Sequence, residues 1–310
     1  MRIAAMGAGG VGGYFGARLQ QAGHDVSFFA RGRHLAALRD EGLTLRSPLG
    51  PADLRVQVFE DPALAGAPVD VVLFAVKLWD TESAAERLRP IVGPSTIVIP
   101  FQNGVDSVQQ LKKILPEKSV MGGSAYIATR IAAPGVIEHI GTMAGIEFGP
   151  LTPAQRPAAE AFLAACQGAG INAKLSDDIV RVIWQKFIFL VGVSSATAVS
   201  RAPLGVVRSD PDLHWLFEQA MRETWRLARA RGVAVADDYV DSRLAFAQTL
   251  PAEMRASMAH DLEAGGRLEA PWLCGAVAQM SAQAGLDAPV NRAVFAALKP
   301  YVDGSQGKAP

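Results

Sequence analysis

The chain has 310 residues, 50% of them hydrophobic, a mean hydropathy of +0.18, and 30 basic against 30 acidic side chains. That length and apolar content suit two domains, each with its own core, and exclude a disordered chain. The charge balance, with no long run of one sign, excludes the basic excess that nucleic acid or an anionic membrane would favour.

The opening residues, MRIAAMGAGGVGGYFG, read as a short apolar strand at 3–6, a glycine-rich turn and the start of a helix at 11–22 that ends near Gly23. Gly7, Gly9 and Gly12 have the spacing G-x-G-x-x-G, with Ala8, Gly10 and Val11 between them. Strand, turn and helix in this order predict a dinucleotide site. Gly7 permits the tight turn, Gly9 lets a pyrophosphate approach the backbone, and Gly12 lets the helix pack closely on the strand. The helix N-terminus then offers N–H groups and the positive end of its dipole to the phosphates. A secretory signal is not expected, because five glycines lie within 7–13 and the apolar run before them is short. No apolar segment reaches membrane-spanning length without a charge or a proline, so a cytoplasmic protein is expected.

Residues 26–30 are apolar and β-prone and read as the second parallel strand. An NAD site wants an acid at the end of this strand for the ribose 2′-hydroxyl, and an NADP site wants a cation for the 2′-phosphate. The sequence there is Ala30-Arg31-Gly32-Arg33. The planar fork of arginine suits phosphate oxygens, so Arg31 is the expected 2′-phosphate contact, ahead of Arg33, and NADPH the expected cofactor. A short helix is expected at 34–41, strands at 43–45 and 54–58 around a turn at 47–51, and a strand covered on both faces at 69–76. In open α/β sheets ligands sit outside the carboxyl ends of the strands, which places Lys77, and Asn103 after the strand at 97–100, toward the cofactor. Asn-Gly is also an ordinary turn. Helices are expected at 81–88, 105–114 and from 152 to about 167, and strands at 120–128, 137–140, 146–149 and 171–175.

From 176 onward strand signals fade, and Ala, Leu, Arg and Glu recur at helical spacing. Helices are expected near 178–199, 210–231, 237–249, 251–264, 270–284 and 289–298, and a loose tail at 303–310. The pattern therefore predicts an α/β chain: a Rossmann-like dinucleotide-binding domain at 1–175 followed by an all-α domain at 176–310. Lys186 stands inside the apolar run Ile183-Trp184-Gln185-Lys186-Phe187-Ile188-Phe189. A lysine so placed must snorkel, pair or lower its pKa, and beside a bound carbonyl it could protonate the oxygen as hydride arrives. Cys166 and Cys274 lie far apart and form no metal-type spacing, which predicts two reduced thiols and no metal site.

Four motifs together, GAGGVG at 7–12, FAVKLW at 74–79, QNG at 102–104 and WQK at 184–186, resemble the ketopantoate reductases (2-dehydropantoate 2-reductases) over nearly the whole chain. The resemblance implies reduction of 2-dehydropantoate to (R)-pantoate with NADPH, in pantothenate biosynthesis. By position it implies that residues 7–12 form the pyrophosphate loop and that Arg31 binds the 2′-phosphate. Lys77, Asn103 and Ala128 would contact the cofactor, and Asn103 also the substrate. Lys186 would be the general acid, Ser257 a substrate-binding serine, and Glu269 an acid touching the cofactor ribose or the active-site network. Pantoate-forming members usually carry asparagine four and eight residues after the lysine; here these are Leu190 and Ser194. Leu268-Glu269-Ala270-Pro271-Trp272 replaces the common Glu-Ile-Asp-Tyr. The cofactor half of the motif set is thus intact and the substrate half altered. Three readings stay open: a ketopantoate reductase, a reductase of a more apolar 2-oxo acid, and an NADP-binding sensor, against which Lys186 and Glu269 both argue. An exposed apolar helix face in the second domain would suit a homodimer.

Overall fold

The computed structural model describes residues 1–304. Residues 305–310 of the expected loose tail lie outside the described residues, while Gly304 N–H donates to the Tyr301 carbonyl at 3.0 Å and closes a turn. The chain divides into two compact units, Met1–Val182 and a second beginning at Ile183.

In the first unit the strands and helices are β1 (Arg2–Met6), α1 (Gly10–Gln21), β2 (Asp25–Phe29), α2 (Gly32–Asp40), β3 (Leu43–Arg46), β4 (Ala52–Leu54), β5 (Gln57–Phe59), β6 (Val69–Phe74), α3 (Thr81–Leu88), β7 (Val92–Pro100), α4 (Ser107–Ile114), β8 (Gly122–Ala133), β9 (Val136–Gly149), α5 (Arg156–Gly168) and β10 (Asn172–Leu175). One five-stranded sheet has the order β5-β2-β1-β6-β7 and is parallel throughout. Alternation along its strands explains why both faces are apolar. Ile3, Ala5, Val71, Leu73, Ile97 and Ile99 join a core with α1, whereas Ala4, Met6, Val72, Phe74 and Val98 join a second core with α3 and α4.

The second sheet has the order β10-β9-β3-β4, with β8 paired antiparallel to β9. Its Leu43, Leu45, Ile137, Ile146 and Phe148 pack into the same core as α1, so α1 is covered by both sheets. Two strand expectations change here. Residues 54–58 are not one strand: β4 pairs with β3 in the second sheet and β5 with β2 in the first, so the chain changes sheets between them. Residues 137–140 and 146–149 are not two strands but the two ends of β9. One end lies beside β3 and the other beside β10, and residues 140–143 between them are exposed. The apolar pattern thus marks where β9 is covered, not where it stops.

The second unit is helical, as its pattern predicts: α6 (Ile179–Ser200), α7 (Leu204–Ser209), α8 (Pro211–Ala230), α9 (Tyr239–Thr249), α10 (Ser257–Glu263), α11 (Cys274–Gln283) and α12 (Pro289–Leu298), with α6 beginning in the first unit. By length and composition α6 could cross a membrane, but 67% of its apolar window is buried inside the protein. Gly192 lets α6 approach α8: a Cβ there would sit 2.5 Å from Met221 Cγ. The buried Glu223 carboxylate of α8 accepts from the Val290 and Asn291 N–H groups, both at 2.9 Å, and from Asn291 Nδ2 at 2.7 Å, which fixes the start of α12. Residues 251–256 do not continue the expected helix at 251–264. Their Ala252 and Met254 carbonyls accept from the Gly205 and Leu204 N–H groups, both at 2.8 Å, at the start of α7, a helix the sequence pattern does not signal.

Candidate active site

The glycine turn sits at the end of β1, the middle strand of the parallel sheet. Gly7 has φ +96°, and a Cβ there would lie 2.8 Å from Val76 N; a Cβ on Gly12 would lie 2.3 Å from the Gly7 carbonyl oxygen. Both positions demand glycine for the turn itself. Gly9 differs: a Cβ would meet only Ile131 Cδ1, at 3.9 Å. Protein contacts leave space in front of it, and no side chain caps the N-terminus of α1 behind it. Residues 7–12 therefore fit a pyrophosphate-sized anion on backbone N–H groups.

Lys77 follows β6 and is exposed, with its ammonium 5.6 Å from the Trp79 ring centroid. Gln102, which precedes Asn103 after β7, donates from Nε2 to the Val76 carbonyl at 2.8 Å and to Thr81 Oγ1 at 2.9 Å. That amide ties the loop carrying Asn103 to the loop carrying Lys77. Ala128 lies in β8 at a register shift, opposite Ile140, and is exposed. Its neighbour Thr129 stands against the start of α1, where a Cβ on Gly10 would come within 2.6 Å of Thr129 Oγ1.

Arg31 is the N-cap residue of α2. Its guanidinium reaches Asp80, with Nη2 to Oδ2 at 2.6 Å and Nη1 to Oδ1 at 3.5 Å. The pair links the loops leaving β2 and β6, the two strands that flank β1. A carboxylate is therefore present beside Arg31 although the end of β2 carries none. His34, also without a sequence signal, braces the glycine turn. Gly135 N–H donates to its Nδ1 at 3.0 Å, so the ring proton is on Nε2, which donates to the Ala8 carbonyl at 2.8 Å.

In the second unit Lys186 comes two residues after Trp184 and just before Phe187 in α6; both aromatics are buried, and their rings meet edge to face at 5.7 Å. Part of the residue stays accessible, yet burial draws its ammonium down from the ordinary lysine value to about 8, with the Glu269 carboxylate opposing the fall. Glu269 is buried and begins a 3-10 turn, Ala270–Trp272. Tyr239 Oη donates to the Gln185 carbonyl at 2.8 Å, one residue before the lysine. Leu190 and Ser194 follow at one-turn intervals on the same face; Leu190 is half-buried and Ser194 fully buried, its Oγ without a partner among the described residues. Ser257 is the exposed first residue of α10. Within this unit the structure thus brings Lys186 and Glu269 into one electrostatic environment. Among the described residues no group of three or more His, Cys, Asp or Glu side chains could hold a metal. Burial pushes both cysteine thiols up to about 12. A groove of about 590 Å³ lined by Tyr14, Arg18, Tyr126, Glu147 and Lys174 contains none of the candidate residues.

A parallel sheet with a glycine turn at its middle strand, followed by a helical unit, defines a Rossmann-type chain with an all-α C-terminal part. The sequence profile of ketopantoate reductase PanE/ApbA matches residues 3–153, and that of the ketopantoate reductase PanE/ApbA C terminal matches 178–302. The chain belongs to this family. It is 32% identical to the 2-dehydropantoate 2-reductase of Archaeoglobus fulgidus over 95% of each chain. The crystal structure of a PanE/ApbA family ketopantoate reductase from Ralstonia eutropha superposes with a TM-score of 0.88 at 32% identity, covering 97% of this chain and 98% of that one. A D-mandelate dehydrogenase seen with NADH and anilino(oxo)acetate shares the fold, with a TM-score of 0.90 at 18% identity over 97% and 98% of the two chains.

Proposed function

We propose that this protein reduces a small 2-oxo acid to the 2-hydroxy acid with NADPH, and that 2-dehydropantoate, giving (R)-pantoate, is its first candidate substrate. The observation that carries the reading is Lys186: an amine drawn down to about 8 by burial, with Glu269 acting on it. A general acid works best when its pKa lies near the working pH. In this reading the dinucleotide supplies the hydride to the substrate carbonyl carbon. Lys186 gives a proton from Nζ to the carbonyl oxygen, and the resulting neutral amine takes one back from solvent. Residues 7–12 hold the pyrophosphate on backbone N–H groups, Arg31 takes the 2′-phosphate, and Lys77, Asn103 and Ala128 contact the remainder of the cofactor. Asn103, Ser194 and Ser257 bind substrate. Glu269 steadies the charge of Lys186 and contacts the cofactor ribose.

A second reading is favoured by Leu190. A half-buried leucine cannot bond the hydroxyl or carboxylate of a polar substrate, and it suits a bulkier, more apolar 2-oxo acid. The D-mandelate dehydrogenase that shares the fold is seen with an aryl-bearing 2-oxo compound, anilino(oxo)acetate. Loss of NADPH absorbance with 2-dehydropantoate, measured beside a panel of aliphatic and aromatic 2-oxo acids, separates the two. The first reading expects the highest kcat/KM on 2-dehydropantoate. A higher value on an aromatic acid installs the second, and no turnover on any member sinks both.

A further inference from the structure

We propose that Asp80 sets the choice between the two nicotinamide dinucleotides, by competing with the 2′-phosphate for Arg31. The inference rests on the reading of Arg31 as the phosphate contact. It starts from an ion pair that joins two loops 49 residues apart in sequence.

The guanidinium presents both Nη atoms to the carboxylate, at 2.6 and 3.5 Å. That is the fork a phosphate would use. A 2′-phosphate must therefore share Arg31 with Asp80 or displace it. Displacement is feasible, because the arginine side chain is 61% exposed and the aspartate 21%, and ion pairs of this kind are weak. It has a penalty all the same, since the released carboxylate stays beside a group of like charge. A ribose 2′-hydroxyl makes no such demand. It leaves the pair intact, and Asp80 can accept its hydrogen bond, the task an acid at the end of β2 performs in NAD sites. The site thus holds a cation for one dinucleotide and an acid for the other, contributed by different strands.

The position of Asp80 supports this reading over a structural one. It stands at the N-cap of α3, where aspartate commonly caps, yet its side chain makes no capping bond and turns to Arg31 instead. Replacing the carboxylate by an amide therefore leaves the start of α3 as it is.

The test is the dissociation constant of NADPH and of NADH, each titrated by fluorescence into wild type, Asp80→Asn and Arg31→Ala, with thermal melts as the check on folding. Asp80→Asn is expected to tighten NADPH by roughly three- to tenfold, the size of one like-charge contact near solvent, and to leave NADH unchanged or weaker. Arg31→Ala is expected to weaken NADPH selectively. If Asp80→Asn leaves the NADPH/NADH ratio unchanged while Arg31→Ala collapses it, the role of Asp80 is overturned and that of Arg31 stands. If Arg31→Ala leaves the ratio unchanged, the phosphate reading fails and the selector falls with it. Equal weakening of both dinucleotides by Asp80→Asn would assign it a structural part and overturn the proposal.

Discussion

Lys77 and Lys186 carry the same amine in two different surroundings. Lys77 follows the strand β6 of the parallel sheet and is exposed, with an indole beside it. Lys186 sits in the helix α6, next in sequence to the buried Phe187 and two residues after the buried Trp184, and burial draws its ammonium down to about 8. The first unit carries most of its candidate residues just past strand ends, where the ladder stops, with Ala128 inside β8 as the exception. The second unit takes a charge out of water and keeps a carboxylate to temper the cost. An exposed lysine is suited to attract a phosphate, and a desolvated one to exchange a proton. The division of labour proposed for the two lysines rests on solvation more than on residue type.

Mutating the two lysines is the sharpest way to break that comparison. Lys186→Ala is expected to lower kcat by about 10²- to 10⁴-fold, the usual worth of a positioned acid, with dinucleotide affinity unchanged. Lys77→Ala should do the reverse, raising the dinucleotide dissociation constant roughly tenfold while kcat at saturation holds. Steady-state kinetics beside dinucleotide titrations read both; equal turnover in Lys186→Ala removes the lysine from the chemistry. A smaller effect sharpens the picture of the first unit. Gly12→Ala forces a Cβ to 2.3 Å from the Gly7 oxygen and should lower Tm, at a cost of about 1–3 kcal/mol. Gly9→Ala meets only Ile131, at 3.9 Å, so Tm should hold while dinucleotide binding weakens. A Gly9→Ala protein that binds normally would show that no ligand approaches the backbone there.

What the sequence makes legible follows the same line. The glycine turn and the positions of Lys77 and Asn103 just past β6 and β7 are readable because a strand, a turn and a helix are contiguous, and position along the chain is position in space. Asp80 and His34 are not readable, because their meaning lies in long-range partners: Arg31, 49 residues away, for one, and the Ala8 carbonyl and Gly135 N–H, 26 and 101 residues away, for the other. The absence of an acid at the end of β2 is a true reading of the local sequence, yet the sheet order brings one there from β6. The same limit explains β9, whose apolar ends report the two different strands beside it and whose exposed middle reads as a break. In the second unit the helical period shows Lys186 within an apolar run, but its tempering by Glu269, 83 residues on, belongs to the packed structure.

The gentlest variant tests that tempering directly. Glu269 raises the pKa of Lys186 against the larger effect of burial, so Glu269→Gln should let the amine fall below about 8. In the proposed reaction the protonated amine is the acid, so reduction is expected to be supported below the pKa and lost as pH rises through it. In the wild type the alkaline limb of kcat should lie near pH 8; in Glu269→Gln it should move to lower pH, so that the loss of activity at pH 8 exceeds the loss at pH 6. Glutamine keeps the size of the side chain and a hydrogen-bonding carbonyl, which leaves the charge as the main difference. A uniform drop across pH with an unmoved limb would mean that Glu269 serves geometry or cofactor binding alone. A limb that moves with Glu269→Gln and stays in place with Lys77→Ala would tie the titration to the buried amine and leave the exposed one as a binding charge.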